Sequence, residues 1–161
     1  MPKRLRRTEW ERFLRGRHVC VLATLGPAGE PVLTPIWYLY RDGRILMRTG
    51  AQSIKALNAV RDSRVTICVQ DERPPYKSVT VHGKVSIEPH VDGMGPEIAR
   101  HYLGAVGGAV YVRTTREAAE QSEEITLAVT PERVLTQDFS METPLVGKVW
   151  LALKRVLPPW L

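Results

Sequence analysis

Through residues 78–87, SVTVHGKVSI, apolar and polar side chains alternate, with Val79, Val81, Val85 and Ile87 on one face and Ser78, Thr80, His82, Lys84 and Ser86 on the other. That period of two is the pattern of a half-buried strand. Upstream, HVCVLAT is a continuous apolar run and PVLTPIWYLY a second, separated by the turn residues GPAGE. Arg41-Asp42-Gly43 predicts a tight reversal into RILMRT, because Asp-Gly supplies the positive φ values that a hairpin turn demands. Three strands joined so closely read as an antiparallel meander. SRVTICVQD and EITLAVTPERVLTQDF continue the β pattern further on.

Helical spacing interrupts these runs. Thr8-Glu9-Trp10-Glu11 has the form of a capping box, Thr8 capping and Glu11 reaching back, which predicts a helix over 9–15. Across 51–61, Ile54, Leu57 and Val60 share one face, and Lys55, Asn58 and Asp62 fall on another. GMGPEIARHYLG, with Pro96 near its start and Gly104 after it, reads as a third helix, and TTREAAEQ is a helical candidate within 107–122. Short antiparallel strands with a helix after the third do not fit a doubly wound sheet. A small closed or partly open β-barrel with appended helices fits, and 161 residues suit one such domain, 1–161.

Charge narrows the choice of partner. The net charge of +6 favours an anion: nucleic acid, an acidic lipid surface or a phosphorylated cofactor. Basic residues are spread along the chain without a nucleic-acid-binding motif, which argues against the first. Glu9, Glu11, Arg12, Arg15 and Arg17 interrupt the start of the chain too soon for a secretory signal, and Cys20 and Cys68 sit in apolar runs as small buried residues would. A cytoplasmic protein is expected. The apolar stretch at about 142–161 carries Trp150 and Trp160, but Lys154, Arg155 and Pro158-Pro159 break it well below spanning length. Packing against the body of the protein or a partner subunit is preferred for it over a membrane interface. His18, His82, His90 and His101 lack metal-ligand spacing, and no Ser-His-Asp or Cys-His arrangement is suggested.

One junction collects candidate chemistry. In MRTGAQSIKALNAVRDSRV a strand runs into a helix through small residues, bringing Arg48, Thr49, Gln52, Ser53 and Lys55 to a helix N-terminus whose amides already point outward unpaired. Such a set suits a phosphate group, although Thr49 as a plain cap and Lys55 as a solvated cation would fit the same residues. The glycine spacing of a Walker loop or a dinucleotide-binding turn is missing.

The ordered set LATLGPAGEPVLTPIWYLYRDGRILMRT, SIKALNAVRDSRVTICV and PPYKSVTVHGKV resembles the flavin and deazaflavin oxidoreductases of the pyridoxamine 5′-phosphate oxidase-like split-barrel superfamily, most of all the branch that uses coenzyme F420. The resemblance covers about residues 9–138. It implies a six-stranded split β-barrel that forms a homodimer, with cofactor in a groove at the subunit interface. By that similarity Pro35, Ile36, Trp37 and Tyr38 run along the ring system, and Arg48 and Thr49 lie near the ribityl chain and phosphate. Gln52, Ser53 and Lys55 bind the phosphate, Asn58 is close by, and Tyr76 approaches from the same or the other subunit. Trp37 and Tyr38 point to opposite faces of a strand, so at most one faces the ring and the other belongs to the core. Arg61 and Arg64 either meet cofactor or form salt bridges, and Asp62 is expected to pair with an arginine.

The function implied is hydride transfer between reduced F420 and a small conjugated acceptor such as an enone, quinone or tetrapyrrole, with Tyr38, Tyr76 or water as proton donor. An FMN-dependent oxidoreductase is the alternative, and a non-catalytic flavin, deazaflavin or haem binder a third reading. The basic excess favours F420, whose glutamyl tail adds carboxylates. The C-terminal residues lack the Arg-rich ending of pyridoxamine-phosphate oxidases.

Overall fold

The computed structural model describes residues 2–140 and positions 149, 152 and 153. The expected C-terminal extension at about 142–161 lies outside the described residues apart from those three positions. Ten elements follow in order: α1 (Arg7–Leu14), β1 (Cys20–Leu25), β2 (Pro31–Ile36), β3 (Leu39–Arg41), β4 (Arg44–Gly50), α2 (Ile54–Arg61), β5 (Arg64–Asp71), β6 (Lys77–Pro89), α3 (Met94–Glu120) and β7 (Glu124–Asp138).

Helix α1 starts earlier than its capping pattern suggested. Arg6 is the N-cap, and the Glu9 carboxylate, not that of Glu11, accepts the Arg6 amide at 2.7 Å. Glu11 instead pairs with Arg7 one turn before it, at 2.9 Å. The Arg6 amide, with Lys3 and the Arg6 side chain behind it, draws the Glu9 carboxyl down to about 2.

Among the described residues seven strands form one antiparallel sheet in the order β2-β1-β5-β6-β7-β4-β3. Seven stand where six were expected because PVLTPIWYLY breaks at Trp37-Tyr38 into β2 and β3. The same break replaces the expected meander with two hairpins at opposite edges of the sheet. A flat sheet would hold its outer strands about 29 Å apart at the usual strand spacing. The link from Ile36 to Leu39 spans at most about 11 Å. The sheet must therefore curl until its edges meet, which is how two residues close the barrel. The β3–β4 hairpin turns at Asp42 and Gly43, with φ of 51° and 75°, as Asp-Gly predicted.

Inside the barrel Leu22, Ile45, Met47, Ile67, Val79, Val81 and Leu127 are buried. Val85 joins them from the alternating strand, whereas Ile87 beyond it is exposed. At the bulge between His82 and Gly83 a Cβ on Gly83 would lie 2.1 Å from the Thr130 carbonyl oxygen, so a side chain there has no room. A second cluster, Leu39, Leu46, Met94, Ile98 and Ala128, packs the first arm of α3 against the outer face of β4 and β7.

Two helices depart from expectation. Ile54, Leu57 and Val60 do share a face of α2, but it points outward, at 68%, 47% and 71% exposure. The face turned to the barrel is Ala56, Asn58 and Ala59, where small side chains let the helix approach closely. Helix α3 does not end at Gly104: that residue, at φ 74°, joins two helical arms. The second arm takes in the glycine-rich GGAVYV as well as TTREAAE. A Cβ on Gly108 would sit 2.8 Å from the Arg100 nitrogen, so the arms meet backbone to backbone there. No helix among the described residues is long and apolar enough to cross a membrane.

Candidate functional site

Between the sheet and α3 lies a cavity of about 530 Å³. Pro35, Ile36 and Trp37 form one wall where the chain leaves β2, Ile98 and Tyr111 come from the two arms of α3, and Arg48 and Glu124 close it from β4 and β7. Trp37 stacks on Tyr102 with ring centroids 4.9 Å apart and planes 6° from parallel, and tilts against Tyr111 at 5.4 Å. The Tyr102 hydroxyl accepts the Tyr38 amide at 3.2 Å and donates to the His18 carbonyl at 2.8 Å. Burial raises its phenol to about 12, so it stays a donor throughout the physiological range. One tyrosine thus fixes the link that closes the barrel and the indole beside the cavity. Tyr102→Phe is expected to cost about 1–2 kcal/mol of stability. It should also weaken the near-ultraviolet dichroism of the indole, and a variant with wild-type melting and dichroism would contradict that role.

Strand alternation divides the predicted anion cluster. Arg48 faces the cavity and is paired there with Glu124, while Thr49 turns to the other side of β4. Gly95 leaves the space for this pair, since a Cβ would lie 2.5 Å from the Arg48 guanidinium. On the opposite face the Thr49 hydroxyl lies 3.0 Å from that of Ser53 and accepts Lys55 Nζ at 3.1 Å. Ser53 is the N-cap of α2, and its hydroxyl accepts the Ala56 amide. That is the capping role considered for Thr49. No carboxylate among the described residues pairs with Lys55, and partial burial lowers its pKa.

The other candidates separate from these. Gln52 is exposed at the same junction. Asn58 is buried, its amide donating to Thr24 Oγ1 at 3.0 Å and its carbonyl oxygen accepting Arg61 at 2.7 Å. It joins α2 to β1. Arg64 pairs with Asp62 at 2.6 Å, as expected of that carboxylate. Tyr38 is in the core with 1% exposure, its hydroxyl without a hydrogen-bond partner among the described residues, and burial pushes its phenol far up. It is therefore the core member of the Trp37-Tyr38 pair, turned away from the cavity. Tyr76 is exposed beside Gln70, Lys77 and Phe139, away from the Trp37 cavity of the same chain.

Glu124, Tyr102 and Tyr111 were not among the sequence candidates. Tyr102 had a signal, because Met94, Ile98 and Tyr102 recur every fourth residue along one helix face. Glu124 had none: it reaches Arg48 through the pairing of β4 with β7, 76 positions apart.

The chain belongs to the pyridoxamine 5′-phosphate oxidase family, whose sequence model matches residues 7–138. The conserved hypothetical protein Rv2991 from Mycobacterium tuberculosis is 26% identical, with a TM-score of 0.71 over 87% of this chain and 89% of its own. An F420 reductase is 21% identical, with a TM-score of 0.60 over 78% of this chain and 94% of its own. HutZ, the heme storage protein from Vibrio cholerae, is 14% identical, with a TM-score of 0.59 over 85% and 98%. The last two share the fold. Comparison with curated proteins finds no match.

Proposed function

We propose that this chain is an F420-dependent oxidoreductase acting on a small conjugated acceptor, an enone, quinone or tetrapyrrole, with FMN in place of F420 as the second reading. The observation that carries it is the Lys55 ammonium, held by the Thr49 hydroxyl at the head of α2 with no carboxylate partner among the described residues. A hydroxyl pair and an unneutralised cation at a helix N-terminus match a phosphate monoester or diester, which both cofactors carry. Arg48, neutralised by Glu124 on the far side of β4, leaves that task to Thr49, Ser53 and Lys55. The net charge of +6 favours the longer anion, F420.

When bound, the cofactor supplies the hydride chemistry. Pro35, Ile36 and Trp37 would lie along its ring system, and the aromatic wall beside them would orient a flat acceptor and exclude water from it. Tyr38, buried away from the cavity, is set aside as proton donor, which leaves Tyr76 of a second subunit or water. A homodimer accords with α2, whose apolar Ile54, Leu57 and Val60 stand exposed on the helix that carries Lys55 and would be covered by a second copy. The test is a parallel titration of cofactor-free protein with F420 and FMN, read by the fluorescence of each. Tight binding of F420 with weak binding of FMN is expected. The reverse would move the protein to the flavin reading, and binding of neither would reject both.

A further inference from the structure

The ion pair in the Trp37 cavity is incompletely spent. Nε and Nη2 of Arg48 both reach one carboxylate oxygen of Glu124, Oε2. Glu124 Oε1 and the other guanidinium N–H groups take no partner among the described residues. Both side chains line the cavity and keep part of their surface open, 24% for Arg48 and 18% for Glu124. Register puts them on one face of the sheet: Arg48 lies opposite Thr126, and Glu124 is two residues along the same strand. Thr126, the neighbour that could have satisfied Oε1, does not, since its buried hydroxyl has no hydrogen-bond partner among the described residues.

The rest of the cavity wall limits what this pair can hold. Ile36, Trp37, Ile98 and Tyr111 give an apolar and aromatic surface suited to a flat ring. A ligand carboxylate there would meet Glu124 and an ammonium would meet Arg48, so the pair as a whole suits a neutral group. That group must offer an oxygen to the guanidinium and a donor to Oε1 from one edge. A quinone or a carbocyclic enone has oxygens alone and would leave Oε1 unpaired, which is costly once water is displaced. An open-chain secondary amide is trans and points its N–H and C=O in opposite directions. A ring lactam is held cis and presents both on the same edge.

We infer that Arg48 and Glu124 form a specificity element that selects, as the hydride acceptor, a flat conjugated ring with a lactam edge. The guanidinium donates to the lactam carbonyl, and Glu124 Oε1 accepts the lactam N–H. That such a ring is the hydride acceptor rests on the oxidoreductase reading; its binding beside Trp37 does not. Both bonds are charge-assisted, and a ring without the N–H is disfavoured further because it covers Oε1 without pairing it.

Calorimetric titration of the full chain, free of cofactor, with 2-quinolone, N-methyl-2-quinolone and coumarin tests the pair without redox activity. The three share a flat bicyclic outline and a carbonyl, and 2-quinolone alone has the N–H. It is expected to bind at least tenfold more tightly than either of the others. Arg48→Met with Glu124→Leu removes both charges together, so that neither is left unpaired, and should bring 2-quinolone down to the level of the others. Arg48→Lys should keep most of the preference, and Glu124→Gln, which keeps the oxygen without its charge, should narrow it. These two single variants decide the matter if the double variant does not melt as the wild type does. Equal binding of the three ligands by the wild type, or an undiminished preference in the folded double variant or in Glu124→Gln, overturns the proposal. Titration of 2-quinolone into protein saturated with F420 tests the hydride-acceptor assignment: retained binding supports it, and displacement gives the pair to the cofactor's own ring edge and overturns it. If neither F420 nor FMN binds while the N–H preference holds, the oxidoreductase reading falls and the lactam site stands. If a cofactor binds and the preference is absent, this proposal falls alone.

Discussion

Replacing Lys55 by Ala is expected to weaken binding of a phosphate-bearing cofactor by tenfold to somewhat over a hundredfold while the protein melts as before. A hydrogen bond to a charged group contributes about 1.5–3 kcal/mol, which is that range of dissociation constants. Stability should hold because the ammonium gives the free fold little. Burial lowers the pKa of Lys55 below its unfolded value, so the charged form is a cost to folding at neutral pH. The cost is relieved only as pH rises from that lowered value towards 10.5, and removing the group removes it too. A bound phosphate reverses the balance and favours the ammonium. Affinity should therefore fall as pH rises through the lowered pKa in the wild type, and Lys55→Ala should lack that limb. Arg48→Ala serves as the contrast, with a smaller effect on phosphate affinity, because its charge is already engaged by Glu124. Equal affinity in wild type and Lys55→Ala at neutral pH would remove the anion site from α2.

Local signals carried over into the fold, and those that depended on distant partners did not. The Asp42-Gly43 turn, the alternation of Val79, Val81 and Val85 and the strand-to-helix change after Gly50 are all decided within a few residues, and each stands in the structure. The inward face of α2 was not legible, because apolar spacing alone names a face and not what covers it. Ala56 and Ala59 lie against the barrel, and the larger Ile54, Leu57 and Val60 await another surface. Closure of the barrel through Trp37-Tyr38 was illegible, since a run of apolar residues gives no sign that the strands on its two sides belong to opposite edges. The division of Arg48 from Thr49 could have been read: the period-of-two argument that separated Trp37 from Tyr38 applies equally to them. What nothing local announced was Glu124, which turns Arg48 from an anion ligand into half of an ion pair.

Asn58 separates a residue of the cofactor site from a residue of the frame, and Asn58→Ala should behave as the second. Its side chain is 3% exposed and holds Thr24 Oγ1 and Arg61, which in turn donates to the Leu25 carbonyl at 2.8 Å. Truncation leaves the buried Thr24 hydroxyl without that donor and Arg61 without one of its two acceptors. Together with the small void, the loss should be about 2–3 kcal/mol. For a domain of this size that lowers the melting temperature by roughly 4–12 °C. The dissociation constant of the cofactor, measured well below the transition, should change by less than about twofold, because 1.4 kcal/mol would be needed for a tenfold change. Lys55→Ala and Asn58→Ala, three positions apart on the same helix, should thus give opposite pairs of results: affinity lost with melting kept, and melting lost with affinity kept. If Asn58 instead touches the phosphate, its variant will follow Lys55→Ala in the binding assay, and the clasp between α2 and β1 will prove to be only half of its role.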